Sequence, residues 1–165
     1  MRRRWGSVGL GLALLASSAE ARDVLGTYDR WAAFRDASPQ HCYAVARPVR
    51  GGGRGSGSAA FASINHWPRQ GVHGQVHLRL SRPRNPRARV TLSIGERRFE
   101  LVAGDVDAWA PDARTDAAIV AAIRSSRSMS VEALARGGGA FADAYTLRGA
   151  ATAIDAAALG CLRVL

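Results

Sequence analysis

The chain has 165 residues, 23 of them basic against 13 acidic, for a formal net charge of +10, and every basic residue is arginine. That length supports one domain with a core of its own. The absence of lysine excludes Schiff-base, P-loop-lysine and Ser-x-x-Lys mechanisms outright.

The N-terminus reads as an export signal. Arg2, Arg3 and Arg4 form a positive n-region, residues 10–16 lie in an apolar stretch, and Ala19-Glu20-Ala21 offers small residues for a signal peptidase. The apolar run from Trp5 to Ala16 is shorter than the roughly 20 residues that a spanning helix needs. Residues 1–21 are therefore expected to be a signal peptide cleaved near Ala21, with residues 22–165 forming a single mature domain. Loss of three Arg and one Glu lowers the net charge only from +10 to +8. The expected compartment is the periplasm, or the secreted or cell-surface space, where disulfides persist and nucleotide cofactors are not expected.

Along the mature chain, residues 42–47 (CYAVAR) and 59–66 (AAFASINH) read as strands joined by a flexible Gly-rich loop over 51–58. Within that loop, Gly55-Ser56-Gly57-Ser58-Ala59-Ala60 matches a Gly-x-Gly-x-x-Ala pattern. A dinucleotide site requires a long helix there, and the strand-like Phe61-Ala62-Ser63-Ile64 follows instead. In residues 75–80 and 89–94, Val76, Leu78, Leu80, Val90, Leu92 and Ile94 alternate with polar residues, which predicts strands. A turn at Gly95-Glu96 leads into residues 98–102, where Phe99 and Leu101 continue the apolar face, so a hairpin is expected.

Asp105, Asp107, Asp112 and Asp116 concentrate acidic charge, but Trp109 and Ala110 occupy the places where a calcium loop needs an oxygen ligand and a glycine. A turn anchored by a buried Trp109 is the expectation. From Thr115, read as the N-cap, to Ser126, the spacing of Ile119 and Ile123 predicts a short amphipathic helix. Residues 129–134 read as a strand with Met129 and Val131 inward, Gly137-Gly138-Gly139 as a turn, 140–148 as a strand, and 150–162 as an Ala-rich C-terminal helix. The fold class that follows is mainly β: a single antiparallel β-rich domain, sandwich-like or a curved sheet, with one short helix and a C-terminal helix.

The closing stretch Tyr145-Thr146-Leu147-Arg148-Gly149-Ala150-Ala151-Thr152-Ala153-Ile154-Asp155-Ala156 resembles the invasion-associated locus B family of exported bacterial proteins, as does the order of elements after Trp31. The resemblance implies a compact β-rich domain of the periplasm or cell surface, with no catalytic residues to transfer. The signature also has a purely structural account. Gly149 lets the chain turn, alanines let a helix lie close on a sheet, and Asp155 is read as a solvated or capping carboxylate.

Cys42 and Cys161 are the two cysteines, and in an exported chain an even count predicts a disulfide, here stapling the C-terminal helix to the strand at 42–47. The sharper alternative is a Cys42 thiolate beside His41. Among His41, His66, His73 and His77, the pair His73 and His77 shares one face of a strand. A separation of roughly 13 Å keeps them from one metal unless the chain bends at Gly74. No metal or cofactor is expected. The main functional signal is electrostatic: a Pro-marked loop with Arg82, Arg84, Arg87 and Arg89, flanked by Arg79 and Arg98, is a candidate anion-binding surface, against the plainer reading of a solvated basic loop. Nucleic acid is disfavoured because no aromatics are interleaved with those arginines. The expected function is non-enzymatic binding of an anionic envelope lipid or glycan, or of a partner protein, peripheral to the membrane at most. The alternative is a periplasmic hydrolase using a histidine.

Overall fold

Alternation of side chains governs the architecture: Cys42, Ala44 and Ala46 turn inward while His41, Tyr43 and Val45 turn outward along one strand, and the same period recurs across the chain. The computed structural model describes residues 22–51 and 59–162, so the export signal, most of the Gly-rich loop and its glycine motif lie outside the described residues. Ten strands form one antiparallel sheet: β1 (Arg22–Tyr28), β2 (Trp31–Asp36), β3 (His41–Ala46), β4 (Phe61–Trp67), β5 (Val72–Arg79), β6 (Val90–Ile94), β7 (Arg97–Ala103), β8 (Asp107–Trp109), β9 (Ser128–Leu134) and β10 (Ala140–Thr146). Their spatial order is β1-β2-β3-β4-β5-β8-β7-β6-β9-β10.

The sheet is curved rather than a sandwich of two. It bends until β10 meets the segment leaving β3: Val49 donates to the Ala144 carbonyl at 2.7 Å and Ala144 to the Arg50 carbonyl at 3.0 Å. The Trp31 indole on β2 donates to the Thr146 carbonyl at 2.9 Å, so the inward-facing early tryptophan ties the first half of the sheet to the last strand. Ile64, Leu78, Leu92 and Val131 are among the core residues inside the curve, and helix α1 (Ala113–Ser125) adds Ile119 and Ile123.

Helix α2 (Ala150–Leu162) lies across β1–β4, and its bounds match the sequence reading. Ala150, Ala153 and Ala157 have no exposed surface and face a sheet that offers Ala33, Ala44 and Ala62, so backbone approaches backbone closely. Gly160 abuts Leu25, and a Cβ there would lie 2.4 Å from a Leu25 methyl carbon. Cys42 and Cys161 form a disulfide, Cα–Cα 5.8 Å, joining α2 to β3 across a sequence separation of 119. No described cysteine is free, so the thiolate alternative is overturned. Gly149 has φ +85°, and a Cβ would sit 2.0 Å from the Tyr28 carbonyl oxygen, which explains the glycine of the closing signature.

The structure corrects several local expectations. β1 and β2 were not foreseen, and the acidic stretch is not a turn around a buried tryptophan. Residues 107–109 form β8, wedged between β5 and β7, and Trp109 is half-buried on the outward face. Asp112, not Thr115, caps α1, accepting from the Thr115 backbone N–H at 2.7 Å. β10 ends at Thr146 rather than Arg148. Asp155 is solvated, as expected, and also pairs with Arg124 of α1 at 2.6 Å, linking the two helices.

Candidate functional site

The six arginines read as one anion-binding surface are placed in three different situations. Arg84 is consumed by the backbone: its guanidinium donates to the carbonyls of Gly104 (2.7 Å), Asn85 (3.0 Å), Ala88 (2.8 Å) and Ala103 (2.6 Å). Arg79 pairs with Asp107 at 3.3 Å, and Arg89 lies 3.6 Å from Glu100. Arg82, Arg87 and Arg98 are exposed and have no side-chain partner among the described residues. Proximity in sequence thus yields one structural clamp, two ion pairs and three solvated charges.

A second surface, not anticipated, lies on the outward face of β2, β3 and β4, which neither helix covers. Strand alternation places Phe34 on β2 opposite Tyr43 on β3, their rings stacked at 5.5 Å. His41, two residues along β3, stacks on Tyr43 at 4.7 Å and on Trp67 of β4 at 3.7 Å, with planes 5° apart in the second pair. The Arg22 guanidinium lies 6.0 Å from the Phe34 ring centre and 5.8 Å from that of Tyr43, with its Nε donating to Asp36 at 2.9 Å. The result is a continuous aromatic ladder with a cation over it.

Two depressions continue along this ladder and share Arg22. One, of about 350 Å³, is bounded by Asp36, Ser38, Pro39, His41 and Trp67. The other, of about 610 Å³, runs over Phe34, Tyr43 and Phe61 to Arg30 and Arg47 at its rim. Its acidic residue, Asp29, is already paired with Arg148 at 2.7 Å, while Arg30 and Arg47 are exposed and have no side-chain partner among the described residues. The groove is therefore positive with an aromatic floor. Its signal in the sequence was the period-two placement of His41 and Tyr43 on β3; Phe34 joins them only through the pairing of β2 with β3.

The four histidines separate into distinct settings. His41 donates from Nε2 to the Asn65 amide oxygen at 3.1 Å, and its Nδ1 lies 3.7 Å from Asp36. Partial burial holds its pKa below the ordinary value, opposed by Asn65 and Asp36. His77 stacks on Trp109 at 5.0 Å and donates to Asp107 at 2.9 Å. His73 is not its neighbour in space; the chain bends at Gly74, φ +74°, and His73 faces His66. Burial, then His73 and His41, lower the His66 pKa to about 4. Among the described residues, no histidine nitrogen hydrogen-bonds a serine, threonine or cysteine side chain; the partners of His41 and His77 are Asn65 and Asp107.

No helix of the described residues is long and apolar enough to cross a membrane. No family model and no curated protein matches the chain. Among solved structures, the crystal structure of invasion associated protein B from Bartonella henselae is similar, with a TM-score of 0.56. The match covers 82% of this chain and 96% of that one at 16% sequence identity. The likeness is one of fold, and at that level it agrees with the resemblance carried by residues 145–156.

Proposed function

We propose that the chain is a non-enzymatic, extracytoplasmic binding protein whose ligand is an acidic glycan of the cell envelope, taken up in the groove over Phe34 and Tyr43. The observation that carries this reading is the joint presence, on a sheet face that neither helix covers, of stacked aromatic rings and of Arg30 and Arg47 without acidic partners among the described residues. Flat rings suit the C–H faces of sugar rings, and planar guanidinium groups suit carboxylate and sulfate. The disulfide supports an oxidising compartment. The loop at 82–89 is a poorer candidate, because Arg84 is spent on backbone carbonyls and Arg89 lies near Glu100.

Retention on immobilised alginate, with neutral dextran as control and phosphatidylglycerol vesicles as the lipid arm, tests the reading. Retention on alginate is expected to be lost in the Arg30→Glu/Arg47→Glu double variant and kept in Arg82→Glu/Arg87→Glu. Retention that follows Arg82 and Arg87, or binding to the vesicles but not to alginate, would overturn it.

A further inference from the structure

His66 is 7% exposed, and its Nε2 is buried with no hydrogen-bond partner. An unpaired buried polar atom of this kind is destabilising and calls for a reason. Across the strand pair its register partner is His73, an exposed histidine whose ring centre is 6.4 Å away. The pairing depends on a local irregularity. The register of β4 with β5 shifts between Asn65 and His66, and Gly74 takes a left-handed conformation next to His73.

We infer that His66 and His73 form a two-histidine chelate for a borderline divalent transition metal ion such as Zn²⁺ or Ni²⁺, at the mouth of the groove between α1 and α2. Directly opposed residues of antiparallel strands have Cβ atoms about 4.5–5.5 Å apart, a spacing from which two imidazoles reach one ion. Two rings bound at about 2.0–2.1 Å per nitrogen have centres roughly 5–6.5 Å apart, and the observed separation falls in that range. The groove, about 390 Å³, is otherwise walled by apolar side chains such as Val120 and Ile154, and its one cation, Arg124, is paired with Asp155. Imidazole donors select zinc, nickel and copper over calcium and magnesium.

No third His, Cys, Asp or Glu converges on the pair among the described residues, so water or a small anion completes the coordination. The site is separate from the glycan groove, since His66 turns inward from β4 while His41 and Trp67 face outward.

Isothermal titration of the metal-free protein with Zn²⁺ and then Ni²⁺ at pH 7.5 tests this. One equivalent is expected, weakened about tenfold or more in His73→Ala, a variant of an exposed side chain, and unchanged in His77→Ala. Ring ¹H–¹⁵N spectra of the unmodified protein provide a check that needs no variant: the His66 and His73 signals are expected to move together at one equivalent. Absence of saturable binding, binding that His73→Ala leaves unchanged, or shifts confined to other histidines would overturn the proposal.

Discussion

Arg82 and Arg84 look equivalent in the sequence and occupy different energetic worlds in the fold, which makes Arg84→Ala an informative perturbation. The Arg84 guanidinium makes four hydrogen bonds to the carbonyls of Gly104, Asn85, Ala88 and Ala103, between 2.6 and 3.0 Å. Each such bond contributes about 1 kcal/mol net, and the half-exposed setting lets water replace part of them, so the variant is expected to lose about 2–3 kcal/mol. For a domain of this size that is a fall in Tm of roughly 5–12 °C. Arg82, exposed and without a side-chain partner among the described residues, is expected to change stability by less than about 0.5 kcal/mol on the same substitution. Thermal unfolding of both variants followed by circular dichroism makes the comparison. Equal Tm values for Arg84→Ala and Arg82→Ala would refute the clamp and return Arg84 to the solvated loop.

Three further outcomes follow from the staple, the export signal and the buried histidine. Replacing both Cys42 and Cys161 with serine frees a 119-residue separation and is expected to cost about 2–5 kcal/mol, read from urea unfolding; unchanged stability would show that the bond contributes nothing. The chain recovered from the envelope without reductant is also expected to have the mass of residues 22–165 less two hydrogens, and a longer chain would refute cleavage near Ala21. The His66 pKa lies at about 4 in the fold against an ordinary 6.5, so the unfolded chain binds a proton that the folded one refuses. Stability contributed by neutral His66 is therefore present above pH 6.5 and lost as pH falls toward 4, by about 3 kcal/mol in all. Urea unfolding of the metal-free protein at pH 7 and at 4.5 measures it, and His66→Gln is expected to flatten the difference; an equally steep profile in that variant would assign the effect elsewhere.

What could be read in the sequence was the inward half of the molecule. Val76, Leu78, Val90 and Leu92 alternate cleanly because each is buried on one side of a half-exposed sheet, and Ile119 and Ile123 show the helical period for the same reason. β1 and β2 were hidden: the exposed pattern of RDVLGTY and the shared alanines of WAAFRD give little contrast between faces, since α2 approaches closely enough to need only small residues. The candidate groove depended on those two strands, so Phe34 and Arg30 carried no signal. Asp107-Ala108-Trp109 was obscured by its three-residue length and by the acidic residues around it. Gly74 was legible as a place where the strand could bend, but periodicity does not say whether the bend is taken, and it is the bend that turns His73 toward His66.

The same division explains why a likeness of fold at 16% identity leaves function open. The inward positions are constrained jointly: a close helix demands Ala33, Ala44 and Ala153, the turn into it demands Gly149, and the staple demands Cys42 and Cys161. None of these constraints reaches the outward face, where Phe34, Tyr43 and His41 pack on one another instead of on the core. Substitution of Arg30 or Arg47 breaks no described side-chain hydrogen bond or ion pair, so the fold is expected to tolerate loss of either charge. The fold alone does not require such residues, and their placement beside a bare aromatic ladder is the feature that points to a ligand. Retention by Arg30→Glu/Arg47→Glu is therefore informative only alongside an unchanged Tm, because loss of binding in a stable variant is an effect on the surface and not on the scaffold.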